Sequence, residues 1–337
     1  MQGEGEMRQV WITRRGGPEV LEVREAPDPQ PGPGQVRIRV RAAGVNFADV
    51  MARVGMYPDA PPLPCVLGYE VSGEIDRPID RAGEKVLAMT RFGGQSELVC
   101  VPAAALLPIP DALSYAEAAS IPVVWLTAWH MLVELGNLRR AQTVLIHAAA
   151  GGVGTAAVQI CKKFGATAIG TASAPKHERV RELGLAHAID YRKVDFEAEV
   201  KRITAGRGVD IALDPVGTFR KSFRCLAPVG KLMMYGASAT VSGEKRNLFA
   251  AVTAVLKMRW FHPLQLLPDN KGIFGVNMGH LWGETGLLLR ELREVLKGFE
   301  AGEFKAIVDM EVPFAEARRA HERLQARENF GKGVLVP

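Results

Sequence analysis

The run TVLIHAAAGGVGTAAVQICKKFG, residues 143–165, restricts the fold of this chain more than any other stretch. Val144, Leu145 and Ile146 are consecutively apolar, as a strand buried on both faces requires. Val153, Ala156, Ala157, Ile160 and Phe164 then recur at helical spacing, so a helix follows and packs on that sheet. Between strand and helix stand Gly151, Gly152 and Gly154. The first turn of a helix carries N–H groups without helical partners and a partial positive charge. Glycine at 151 and 152 keeps side chains away from that turn, so a pyrophosphate can approach, and Gly154 allows helix and strand to pack closely. Ala149 takes the place of the first glycine of the three-glycine fingerprint, leaving Ala-x-Gly-x-x-Gly. A lone glycine motif is weak; its position between a strand and a helix makes it a dinucleotide site.

The surroundings supply that context. From about residue 125 the strands TVLIHAA, ATAIGTAS, AHAIDYR, VDIALDPVG and KLMMYGAS alternate with helical patterns. One of these, SAPKHERVRELG, has Ser173 as an N-cap and Gly184 as a stop. Such alternation predicts a parallel, doubly wound sheet with helices on both faces. Residues 8–103 differ, with short strand-like runs that predict antiparallel β structure closing into a small barrel. In QVRIRVR, Val36, Ile38 and Val40 alternate with Arg37, Arg39 and Arg41, which predicts one buried and one solvated face. After residue 267 the chain is expected to leave the parallel sheet: a helix near 284–299, a strand KAIVDMEV, a charged helix and a last strand return it to the first domain. The predicted domains are thus 1–124 with 267–337, and 125–266.

At 337 residues, 47% hydrophobic and 23% charged, the chain has the makeup of a two-domain globular protein. Its net charge of +5 comes from scattered residues, so no nucleic-acid patch is expected. Cys65, Cys100, Cys161 and Cys225 lie far apart, with no Cys-x-x-Cys pair, which fits a reducing compartment. MQGEGEMRQVW lacks the apolar core of a signal peptide, and prolines, Asp111 and Glu117 interrupt the apolar region 98–135. A cytoplasmic protein is the expectation.

The choice of dinucleotide depends on the end of the second strand. An NAD site offers an acidic residue there, about twenty positions after the glycines, for the ribose 2′-hydroxyl. Here the strand runs into GTASAPKHER, where Ser173 and Lys176 suit a 2′-phosphate. NADPH is the expected cofactor, with Ser173 both capping and binding.

These motifs resemble the medium-chain dehydrogenase/reductase superfamily in its zinc-free quinone-oxidoreductase branch, nearest to zeta-crystallin-type and synaptic-vesicle-membrane-protein-type members. The matching stretches include AAGVNFADVMARVGMYP (42–58), LGYEVSGEI (67–75), AASIPVVWLTAWHML (118–132), HAAAGGVGTAAVQICK (147–162) and NFGKGVLVP (329–337). The resemblance implies a GroES-like β-barrel domain beside a Rossmann domain. Zinc-dependent relatives carry a Cys where this chain has Asn46, and a His-Glu pair where it has Tyr69-Glu70. Neither replacement is a ready zinc ligand, so no metal is expected and Glu70 reads as structural. Hydride delivery to an isolated ketone makes a basic alkoxide that needs a Lewis acid or a strong proton donor. A quinone or α,β-unsaturated carbonyl yields a delocalised anion that needs only hydrogen-bond donors and a proton. The expected activity is therefore NADPH-dependent reduction of such conjugated acceptors.

Residue by residue, the resemblance places Asn46 beside the nicotinamide and Tyr57 as a proton donor or pocket residue. It places Thr127, Gly151, Gly152, Val153, Gly154, Tyr191, Arg192, Asp214, Val216, Gly217, Gly236, Phe274, Val276 and Asn277 around the cofactor. Lys332 in GKGVL joins this set and reads as a surface lysine. Asp49 and Arg53, at i and i+4, read as a helix pair. None of the seven histidines sits in a Ser/His/Asp or Cys/His spacing that would mark catalysis. Two rival functions are a trans-2-enoyl thioester reductase and an NADPH- or lipid-binding protein with little turnover. The apolar, cationic segment 247–267 is open to three uses: substrate wall, lipid contact or subunit contact. The resemblance implies a homodimer, with KLMMYGAS as the sheet edge in contact.

Overall fold

The computed structural model describes residues 5–236 and 261–337. Among these, the chain forms two compact units: residues 5–126 with 279–337, and residues 127–236 with 261–278.

The first unit begins with β1 (Glu6–Ile12), paired antiparallel with β2 (Leu21–Pro27). There follow β3 (Gln35–Val45), α1 (Phe47–Arg53), β4 (Cys65–Val66) and β5 (Glu70–Arg77). Then come β6 (Lys85–Met89), β7 (Leu98–Pro102), β8 (Leu106–Pro108), α2 (Tyr115–Ala119) and α3 (Pro122–Trp129), whose last three residues are counted with the second unit. The alternation in β3 puts Val36, Ile38 and Val40 in an apolar core with Val71, Ile75 and Val86. Its other face is not uniformly wet. Arg37 is buried, its Nε 2.9 Å from Asp76 Oδ1 and its Nη2 3.0 Å from Asp76 Oδ2. A guanidinium fork matched to one carboxylate can leave bulk water where a lone charge could not.

The second unit contains β9 (Thr143–Ile146), α4 (Gly152–Phe164), β10 (Thr167–Thr171), α5 (His177–Glu182) and β11 (His187–Ile189). It continues with α6 (Phe196–Ile203), β12 (Val209–Asp214), α7 (Phe219–Arg224), β13 (Leu226–Met234) and β14 (Gly272–Gly275). These six strands form one sheet in the order β11-β10-β9-β12-β13-β14, every pair parallel. Counted within the unit, that is the doubly wound order 3-2-1-4-5-6, whose ligand crevice lies where the order reverses, between β9 and β12. Leu145, Ile169, Ala212 and Leu232 from the central strands share its core. Because β14 pairs with β13, the chain stays in this sheet beyond residue 267, later than expected. The same pairing corrects the expected contact strand: residues 231–234 of KLMMYGAS lie in β13, between β12 and β14 and not at a sheet edge.

The remaining elements are α8 (Thr285–Glu300), β15 (Val308–Pro313), α9 (Ala317–Gln325) and β16 (Lys332–Val336). β16 lies between β15 and β3, in a first-unit sheet ordered β15-β16-β3-β5-β6-β8, with β7 also on β3. Gly331 has φ +90°, and a Cβ there would meet the Ile307 carbonyl at 2.3 Å, so only glycine turns the chain into β16. Of segment 247–267, only residues 261–267 are among those described; there Leu264 and Leu267 are exposed.

Candidate functional site

In the second unit all six strands run the same way, so their carboxyl ends share one edge. That edge gathers most of the residues predicted to hold a dinucleotide. β9 ends in the Ala148–Gly151 turn, and Gly151, with φ −81° and ψ 175°, is the N-cap of α4. Gly154 and Gly151 have different physical reasons. A Cβ on Gly154 would lie 2.3 Å from the Ala148 carbonyl oxygen and 2.6 Å from Ala149 Cα, so its lack of a side chain is a packing requirement. A Cβ on Gly151 would meet the protein only at 3.4 Å, an ordinary contact. The fold itself therefore does not demand glycine at 151.

β10 ends at Thr171, followed by Ser173 and Lys176, neither of them fully buried. Ser173 stands at the N-cap of a 3-10 turn (Ala174–Lys176), yet its hydroxyl makes no capping hydrogen bond, contrary to expectation. Tyr191 and Arg192 follow β11, the guanidinium 5.8 Å from the tyrosine ring centre. Beyond β12, one Asp214 oxygen accepts from the backbone of Val216 (2.8 Å) and Gly217 (3.0 Å). The other accepts from the hydroxyls of Thr218 (2.8 Å) and Ser222 (2.6 Å). The Asp214 carboxylate is thus spent inside the protein, and what it offers a ligand is the loop it shapes. Gly236 follows β13, where a Cβ would come within 3.1 Å of the Pro215 carbonyl. Phe274, Val276 and Asn277 belong to the end of β14, with the Val276 N–H on the Met234 carbonyl at 2.8 Å. Thr127 lies in α3, buried and away from the strand ends in sequence.

In the first unit a second cluster forms around Asn46, the N-cap of α1. Its amide Nδ2 donates to Glu70 Oε1 at 2.9 Å, and its Oδ1 accepts from the Lys332 ammonium. Lys332 Nζ also lies 2.5 Å from Glu70 Oε1, while Glu70 Oε2 accepts from the Val123 N–H at 2.6 Å. Lys332 is 3% exposed and Glu70 0%. The expected surface lysine is therefore an interior cation of this cluster. Three elements build the cluster: the end of β3, the start of β5 and the start of β16. A Cβ on Gly44 would sit 2.4 Å from Glu70 Oε1, so the small residue there gives the carboxylate its room.

Asp49 extends the cluster, accepting from the Asn46 N–H at 2.7 Å and the Gly68 N–H at 3.3 Å. Burial pushes its carboxyl up to about 7. Arg53, also fully buried, donates to the Gly16 carbonyl and to Gln325 Oε1, both at 2.6 Å. Tyr57 is half-buried, edge-on to Tyr69 with ring centres 6.3 Å apart, and burial raises its phenol. Glu70 has a larger part in this cluster than its sequence suggests. Its only mark there is a charge inside the apolar run LGYEVSG.

Among the described residues, no group of three or more His, Cys, Asp or Glu side chains could hold a metal ion. Nor is any helix among them long and apolar enough to cross a membrane.

Comparison with known proteins agrees with this architecture. Residues 32–111 match the alcohol dehydrogenase GroES-like domain, and residues 152–294 match the family described as zinc-binding dehydrogenase. The synaptic vesicle membrane protein VAT-1 homolog of Rattus norvegicus is 40% identical, over 98% of this chain and 84% of that protein. A quinone oxidoreductase of Pseudomonas aeruginosa is 34% identical, over 98% of this chain and 99% of its own length. The crystal structure of Escherichia coli quinone oxidoreductase complexed with NADPH superposes with a TM-score of 0.84 at 29% identity, covering 98% of this chain and 100% of that one. That of CurK enoyl reductase gives 0.82 at 28% identity, covering 98% and 99%. The chain belongs to the medium-chain dehydrogenase/reductase superfamily, in the branch of the quinone oxidoreductases and VAT-1 homologues.

Proposed function

We propose that this protein is an NADPH-dependent reductase of quinones or related α,β-unsaturated carbonyls that works without a metal. The observation that carries this reading is the interior ion pair of Lys332 and Glu70 around the Asn46 amide. The family name implies zinc, but these residues do not suit it. A cation placed here would lose Glu70 to the ammonium 2.5 Å away and would be repelled by that ammonium. Asn46 has already committed its oxygen to Lys332 and one N–H to Glu70, leaving its second N–H as a donor. A site equipped with hydrogen-bond donors suits an acceptor whose added charge is delocalised.

The nucleotide residues are Gly151, Gly152, Val153 and Gly154 for the pyrophosphate, Ser173 and Lys176 for the 2′-phosphate, and Tyr191 and Arg192 for the adenosine. Asp214, Val216, Gly217, Gly236, Phe274, Val276 and Asn277 shape the loops for the ribose and nicotinamide, and Thr127 adds a further contact. Bound NADPH supplies the hydride. Asn46 donates a hydrogen bond to the substrate oxygen as charge develops there, and Tyr57 lines the pocket. The proton that completes quinone reduction comes from water. The protein acts as a homodimer, with β14, the terminal strand of this sheet among the described residues, as the edge for pairing.

A second reading, enoyl thioester reduction, draws on Tyr57: its raised, half-buried phenol keeps its proton at neutral pH and can deliver it to carbon. One panel separates the two. NADPH oxidation is followed with an ortho-quinone and with a crotonyl thioester, for the native protein and for Tyr57→Phe. Quinone turnover that survives the substitution supports the reading proposed; thioester turnover that the substitution abolishes supports the second. Nucleotide binding with no turnover on either overturns both in favour of a binding protein.

A further inference from the structure

Four side chains distant in sequence meet beneath the carboxyl edge of the second unit's sheet. His147 Nε2 is 3.1 Å from Ser222 Oγ, and His147 Nδ1 is 3.1 Å from Thr171 Oγ1. Ser222 Oγ lies 2.6 Å from Asp214 Oδ2. His147, Thr171, Asp214 and Ser222 are all buried, and the Phe196 ring packs edge-on against the imidazole at 4.5 Å.

The order of partners is Asp–Ser–His, not the Asp–His–Ser of a nucleophilic triad, so the serine is not activated. Proton direction follows from the carboxylate, which accepts. The Ser222 hydroxyl hydrogen points to Asp214, so Ser222 Oγ must accept from His147, whose proton is then on Nε2. The Nδ1 lone pair accepts from the Thr171 hydroxyl, and Thr171 Oγ1 accepts from the Ala148 N–H at 3.3 Å. The bonds run in two directed arms, from Thr171 into the imidazole and from the imidazole through Ser222 to Asp214.

The ends of this chain are two loops. At one end, Ala148 has φ +53°, a backbone unfavourable for a residue with a Cβ. Its carbonyl accepts from the Gly151 N–H at 2.9 Å and fills the space left by Gly154. At the other, Asp214 Oδ1 holds the N–H groups of Val216 and Gly217. The two loops flank β9 and β12, where the sheet order reverses.

We propose that His147, Ser222 and Thr171 are positioning residues: together with Asp214 they hold the glycine turn and the 215–217 loop at the spacing a dinucleotide needs. This rests on the nucleotide assignment above but depends on the protein's own hydrogen bonds. Ser222→Ala cuts the chain in the middle and strands the His147 N–H. His147→Gln can keep a donor toward Ser222, whereas His147→Asn can keep only an acceptor toward Thr171.

The test uses two measurements on the full-length protein. Amide hydrogen exchange without nucleotide should rise at residues 148–154 and at Val216 and Gly217 together in Ser222→Ala and His147→Asn. NADPH titration should weaken by about tenfold in Ser222→Ala, the cost of one buried bond, with kcat at saturating NADPH held within about twofold. His147→Gln should recover most of that loss, and His147→Asn/Ser222→Ala should cost no more than either change alone, because the residues act as one chain. Unchanged exchange at both loops, or a lower melting temperature with native NADPH affinity, overturns the proposal. Native protein that binds no NADPH overturns the nucleotide assignment instead, and the exchange result still decides the role of the chain. Should Ser222→Ala fail to fold, the two His147 variants decide the question by the same readouts.

Discussion

Replacing Lys332 by methionine removes a charge from the protein interior while keeping an unbranched side chain of similar length. In the native protein the ammonium meets Glu70 Oε1 at 2.5 Å and the Asn46 amide oxygen, with Lys332 3% and Glu70 0% exposed. Breaking a buried pair by removing one partner costs roughly 3–5 kcal/mol, because the other charge stays buried. Glu70 keeps two donors, the Val123 N–H at 2.6 Å and Asn46 Nδ2 at 2.9 Å, which favours the lower end of that range. For a unit of this size a loss of about 3 kcal/mol lowers the melting temperature by about 6–12 °C. Circular dichroism melts at neutral pH measure it. A companion variant, Lys332→Met with Glu70→Gln, removes the stranded charge and should recover all but about 1 kcal/mol. A single variant melting within about 2 °C of native protein, or a double variant no better than the single, would refute the interior ion pair.

Further outcomes follow from other parts of the molecule. Gly154→Ala should destabilise the second unit by about 1–3 kcal/mol, since its Cβ meets the Ala148 carbonyl at 2.3 Å, whereas Gly151→Ala should leave the melt unchanged and weaken NADPH alone. Lys176→Ala should weaken NADPH binding at least about tenfold and NADH binding hardly at all; calorimetric titration with both nucleotides checks this, and equal losses defeat the 2′-phosphate assignment. Asp49 carries a sign that melts across pH can read. Its carboxyl is raised from an ordinary 3.8 to about 7, so the folded state holds the proton longer than the unfolded state does. Its contribution to stability is full below about 4 and is lost as pH rises to about 7, worth roughly 4 kcal/mol over that interval. Asp49→Asn should flatten that fall relative to native protein; identical pH profiles would contradict it.

The Rossmann half was legible because its signals are local. Gly151, Gly152 and Gly154 sit within four residues of each other between a strand and a helix, and parallel strands then bring Ser173, Tyr191, Val216 and Gly236 to one edge. Val36, Ile38 and Val40 likewise announced a strand face by period alone. What escaped the sequence depends on pairings between distant segments. Lys332 reads as exposed in GKGVL until β16 is known to lie beside β3, which carries it to Asn46 and Glu70. Arg37 reads as solvated until Asp76 is placed opposite it. His147, Thr171, Ser222 and Asp214 come from the turn after β9, two strands and a helix, so no spacing along the chain marks them as a group. The resemblance placed KLMMYGAS at the sheet edge, and nothing in its own residues reveals that GIFG pairs beyond residues 231–234.

Metal-free hydride transfer is decided by the turnover of metal-stripped protein. After exhaustive dialysis against a chelator, with zinc content verified by elemental analysis, the protein should oxidise NADPH in the presence of an ortho-quinone as fast as untreated protein, and added zinc should not accelerate it. Activity that disappears with the metal and returns on adding zinc would contradict a metal-free site at Asn46, Glu70 and Lys332.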